Sequence, residues 1–140
     1  MNTELKDLIG AKVNKIFITL DDLKFETDKG NFVYHVDGDC CSNSFFYDFY
    51  GVKNLLENGA INEIKTIQLN PTDLIVKDKY GDETKVYGYQ ITTEGKYGDV
   101  TSVFSFRNVS NGYYGGDINK TEDKEFPPES EIKEDVHEVK

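Results

Sequence analysis

The sequence contains no tryptophan, one methionine, three prolines, two histidines, two cysteines and a single arginine, Arg107. Each scarcity excludes something. His35 and His137 are too few for a His-rich metal site and leave no evident base for a Ser–His–Asp or Cys–His arrangement. Cys40 and Cys41 are neighbours, and adjacent cysteines rarely bridge because the ring they close is strained. No disulfide framework is therefore expected, and reduced thiols of an intracellular protein are. No P-loop, GxGxxG turn after a strand, GxSxG elbow or HExxH helix occurs. No apolar run is long enough for a membrane-spanning helix. The opening MNTELKDLIGAKV lacks the charged-then-apolar layout of a secretion signal.

Positive charge is also short. In 140 residues, 16 Lys and Arg face 26 Asp and Glu, a formal charge of -10. Neither a grip on a nucleic-acid backbone nor attachment through a polybasic membrane patch is expected of such a chain. The acids are uneven: residues 117–140 hold 9 acids against 4 lysines, net -5. That segment has one aromatic, Phe126, and a Pro-Pro pair, with too little apolar surface to offset chain entropy. It reads as an acidic, disordered tail behind a single domain at 1–116.

Alternation is what the domain does have. Residues 11–20, 23–27 and 31–36 read as a three-stranded meander closed by an Asp-Lys-Gly turn. The stretch after it changes period: Phe45, Phe46, Phe49, Val52, Leu55 and Leu56 fall at helical spacing, with Ser42 or Ser44 as a cap and Gly59 as a stop. Strands resume at 61–69, 73–79, 84–93 and 100–109. The order predicts an α+β protein, an antiparallel sheet of about six to seven strands with one principal helix packed on it.

Two segments carry candidate chemistry. Asp37-Gly38-Asp39-Cys40-Cys41-Ser42 lies between a strand and the expected helix start, where N–H groups favour an anion and lower a thiol pKa. The plainer reading is a helix cap over a buried cysteine. A metal site from Asp37, Asp39 and a thiolate matches no standard ligand spacing, and neither metal nor cofactor is expected. The second segment joins Arg107, Asn108, Ser110, Asn111, Tyr113 and Tyr114 to three glycines. A planar charged fork grips a carboxylate or phosphate as lysine cannot, and the amides, hydroxyls and rings suit a polar aromatic ligand. Alternatively Asn111-Gly112 is a turn and Arg107 pairs with one of many carboxylates. Tyr80, Tyr87, Tyr89 and Tyr97 add a tyrosine-rich second half, common at recognition surfaces and in ordinary small sheets.

The strings LIGAKVNKI, DGDCCSNSFF, VYGYQITT and FSFRNVSNGYYGG resemble a small domain family of unknown function found in bacteriophages and prophages, over roughly residues 8–118. The resemblance implies a phage-encoded accessory protein acting in the host-cell cytoplasm. The expected function is non-catalytic binding, plausible in counter-defence: sequestering a nucleotide-like ligand or binding a host protein, as a monomer or a homo-oligomer. The ligand-binding candidates are Cys40, Cys41, Ser42, Arg107, Asn108, Ser110, Asn111, Tyr113 and Tyr114. Two alternatives stand beside it: an acidic DNA mimic that inhibits a host enzyme, and a thiol-dependent enzyme using Cys40 or Cys41.

Overall fold

Period-two alternation builds nearly all of the regular structure. The computed structural model describes residues 3–38, 42–67, 75–77, 83–110 and 115–140. A 3-10 turn at Thr3–Leu8 leads into β1 (Val13–Ile18), β2 (Asp22–Thr27) and β3 (Gly30–Gly38). These form the predicted antiparallel meander, with Thr27 opposite Gly30 and Gly30 at φ 121. Next come β4 (Asn43–Tyr50), α1 (Val52–Glu57), β5 (Ile61–Ile67) and β6 (Ile75–Lys77). A long hairpin of β7 (Glu83–Gly95) and β8 (Gly98–Ser110) follows, then β9 (Gly116–Thr121) and the two-residue β10 (Glu131–Ile132).

The strands make two antiparallel sheets. The first has the order β10-β1-β2-β3-β9, and the second β4-β8-β7-β5, with β6 also paired to β7. Both line one core. Leu23, Phe25 and Tyr34 come from the first sheet, and Phe46, Phe49, Phe104 and Phe106 from the second. Phe25 meets Phe49 edge-on at 6.2 Å across the gap, and Phe49 stacks on Phe104 at 5.5 Å. Among the described residues no helix is long and apolar enough to cross a membrane.

The α+β expectation is therefore wrong: the fold is mostly β, with one short α-helix among the described residues. The error sits at residues 42–56. Phe46 and Phe49 are three apart, a helical separation, yet both lie on a strand. The register of β4 against β8 shifts between Phe46 and Asp48, so one extra residue brings Phe49 back to the inner face. Gly51, at φ 74, then turns the chain into α1, which buries Val52 and Leu55. A bulge, a left-handed glycine and a helix of under two turns reproduce the spacing of one long helix. A side chain at Gly51 would in addition run into the Thr101 carbonyl, 2.7 Å from an added Cβ.

The C-terminal segment is not a loose tail. The expected boundary at 116/117 falls inside β9, which pairs with β3 from Val33–Thr121 to Gly38–Gly116. From there the chain crosses the outer face of the first sheet. Lys24 contacts Asp123 at 2.8 Å, Lys124 contacts Asp22 at 2.7 Å, and Phe126 packs on Phe17. It then closes two sheet edges. β10 pairs with β1, Val136 exchanges two backbone hydrogen bonds with Phe49 of β4, and the Val139 N–H donates to the Tyr47 carbonyl at 2.7 Å. Asp135 accepts from the N–H groups of Gly51 and Val52, capping α1 from outside. Composition summed over the segment missed this because the stabilising partners, open strand edges and buried slots for Ile118 and Val139, belong to the rest of the chain.

Candidate functional site

Successive residues of a strand face opposite sides of the sheet, and that rule divides the sequence candidates into two groups. On β8, Ser102, Phe104, Phe106, Asn108 and Ser110 are buried toward the core, while Val103, Ser105 and Arg107 face outward. Arg107 and Asn108 are chain neighbours but stand on opposite faces. They cannot form one cluster.

The inner group is a polar lock. Asn108 is fully buried and its amide donates to the Ser42 hydroxyl at 3.1 Å and the Ser44 hydroxyl at 2.9 Å. Ser44 in turn donates to the Asp37 carbonyl at 3.0 Å. Ser110 is buried further along the same face. The two sheets come so close here that a Cβ on Gly116 would stand 2.5 Å from the Ser44 hydroxyl and 2.9 Å from the Phe106 ring. The Gly116 N–H donates to the Tyr87 hydroxyl at 3.2 Å, and Tyr87 stacks on Phe106 at 4.7 Å. The strand ends flanking the two candidate segments are thus joined: Gly38 pairs with Gly116, and Ser44 with Asn108. Cys40, Cys41, Asn111, Tyr113 and Tyr114 lie outside the described residues, as do Asp39 and Tyr80.

The outer group is partly covered: Ser105 is buried, and Tyr47, Asp48 and Arg107 are half-buried. The Arg107 guanidinium carbon lies 3.7 Å from the centre of the Tyr47 ring, a stacked cation–π contact. Its Nε is buried without a hydrogen-bond partner, and among the described residues Arg107 forms no ion pair. Asp48 is beside it on the same face and accepts the Ser105 hydroxyl at 2.6 Å. Burial pushes the Asp48 carboxyl above its ordinary pKa, opposed by the Ser105 hydrogen bond and by the charges of Arg107 and His137. At the margin Tyr50 lies within 3.3 Å of His137, and burial with the charge of Asp48 raises the Tyr50 phenol.

Tyr47, Asp48 and Ser105 were absent from the sequence-derived candidates. Reading 42–56 as helix hid the first two, because only a strand pairing sets them against β8. The tyrosine pattern also resolves differently from a recognition surface. Tyr89 is buried in the core with its phenol pushed up to about 12, Tyr87 packs against that core, and Tyr97 at the β7–β8 tip is 93% exposed.

These features define an all-β, two-sheet domain whose inner face is tied by the Asn108 amide, with Asn108 Oδ1 buried and unpartnered, and whose outer face carries the stacked Arg107 with its own unpartnered Nε. The chain belongs to the family described as Domain of unknown function (DUF7448), whose model matches residues 6–120. No curated protein and no solved structure matches it. The matched region ends where the crossing C-terminal segment begins.

Proposed function

We propose that the protein is a non-catalytic binding module for a nucleotide-like ligand, held on the outer face of the second sheet. The observation that carries this reading is Arg107, stacked on Tyr47 with a buried Nε that no described residue satisfies. A guanidinium held flat by an aromatic ring is pre-oriented to take a phosphate in its fork, and its free plane suits a stacked base. The inner group of Ser42, Asn108 and Ser110 holds the sheets together beside this face and does not meet the ligand. The resemblance to phage and prophage domains supports a phage-encoded accessory acting in the host cytoplasm, where sequestering a nucleotide signal would counter a defence. Thermal-shift screening against linear and cyclic nucleotides tests the reading. At least one should raise the melting temperature of the native chain and leave Arg107→Ala unmoved; silence across the panel would end it.

A second reading, an acidic mimic that captures a host protein, draws on the C-terminal acids. Residues 122–140 lie against the first sheet and then the β4 edge of the second, so about half of the net charge is carried by a segment docked on the fold. Host-protein capture that is steeply lost with salt would favour it. The thiol-enzyme reading gains no support, since Cys40 and Cys41 lie outside the described residues.

A further inference from the structure

Two charged groups of opposite sign stand on one sheet face without pairing. Arg107 faces Phe45 across the β4–β8 ladder, and Asp48 faces Ser105, two residues along β8. The two positions are thus about 7 Å apart along the strand. A half-buried arginine and carboxylate this close would ordinarily join, since each is costly to leave partly desolvated. Here Asp48 is felt by Arg107 but accepts hydrogen bonds from the Ser105 hydroxyl and its own backbone N–H, and Arg107 lies on Tyr47. Each keeps unused bonding capacity: the guanidinium as a donor fork, the carboxylate as an acceptor. Around Asp48 the charged and titratable neighbours are Arg107 from β8, His137 from the C-terminal segment and Tyr47 and Tyr50 from β4.

We infer that Arg107 and Asp48 are the two poles of a single site, Arg107 receiving an anionic group and Asp48 accepting an N–H of the same ligand. This rests on the nucleotide-binding reading above and narrows it to a class: nucleotides whose base carries an exocyclic amine. A nucleotide of this kind carries both groups that the site would take, a phosphate for the guanidinium and an amine N–H for the carboxylate. Tyr47 fixes the guanidinium plane, and Ser105 occupies one carboxylate oxygen of Asp48 and leaves the other to the ligand.

Titration calorimetry on the full chain tests this with four probes. Adenosine, guanosine and cytidine 5′-monophosphates carry the amine; purine riboside 5′-monophosphate does not. At least one amine-bearing probe should bind about tenfold to a hundredfold more tightly than purine riboside monophosphate, the value of one hydrogen bond to a charged group. In Asp48→Ala that preference should vanish while weak binding of all four persists; Asp48→Ser serves if the alanine variant does not fold. In Arg107→Ala all four should weaken together. Equal binding of amine-bearing and amine-free probes by the native chain would overturn the role of Asp48 and leave the nucleotide reading intact. A preference that survives in the Asp48 variants would overturn it equally. No binding of any probe would overturn both.

Discussion

The two faces of β8 differ in what their polar groups are left to do. Inward, Asn108 donates its amide to two serine hydroxyls while its Oδ1 stays buried and unpartnered, and glycine backbones press so closely that no side chain fits between. Outward, one residue earlier, Arg107 rests on a tyrosine and Asp48 holds one serine, with bonding capacity to spare. Buried polar groups that are paired specify a fold, whereas a desolvated charge left unpaired is costly and is usually kept for a partner. The inner face is read as architecture and the outer face as function. Substitutions should therefore separate stability from binding.

The largest loss of stability belongs to the inner face. Phe106→Ala removes a fully buried ring that stacks on Tyr87 and contacts Phe46, and should cost about 3–5 kcal/mol in chemical denaturation. Asn108→Ala should cost about 1–3 kcal/mol, because the buried Ser44 hydroxyl and the half-buried Ser42 hydroxyl lose their shared donor. Neither change should alter nucleotide preference in whatever fraction stays folded. Were Asn108→Ala instead as stable as the native chain and deficient in binding, the division between the faces would collapse.

On the outer face Arg107→Ala should cost no more than about 1 kcal/mol, the scale of a surface cation–π contact, while removing ligand-induced stabilisation. Asp48→Asn should move stability least, and upward. A carboxyl whose pKa is raised by folding binds more protons in the native than in the unfolded state. Native stability thus falls as pH rises through the raised value, and the native chain carries the full cost at neutral pH. Asn keeps an acceptor for Ser105 without the charge, so its melting temperature should exceed the native one at neutral pH. That gain should fade as pH falls toward the ordinary carboxylate value of 3.8. An Asn variant less stable at neutral pH would mean that the charge at position 48 supports the fold.

Parts of this picture were legible before any coordinates. The β1–β3 meander follows from alternation and one glycine turn, and the alternation of 102–107 already separates Ser102, Phe104 and Phe106 from Val103, Ser105 and Arg107. The same alternation puts Asn108 on the face opposite Arg107, although the two are chain neighbours within one polar motif. The segment 42–56 was not legible. A β-bulge shifts the phase of the inward pattern by one residue, and no local preference distinguishes that shift from a helical period when the residues are Phe-Phe-Tyr-Asp-Phe-Tyr. The C-terminal segment was misread for a different reason. Its order comes from edges and slots formed by residues far away in the chain, such as Lys24 with Lys124 and Asp123.

By itself the sequence determined the strand-forming body, the shortage of cationic surface and the singularity of Arg107. These depend on residue type and short-range period, which the chain carries whatever its partners. Only the tertiary structure decided that Tyr47 and Asp48 stand beside that arginine, that Asn108 does not, and that the acidic end belongs to the fold. Each of those facts depends on which strands become neighbours and in what register, and register is set by the two sheets closing on one core.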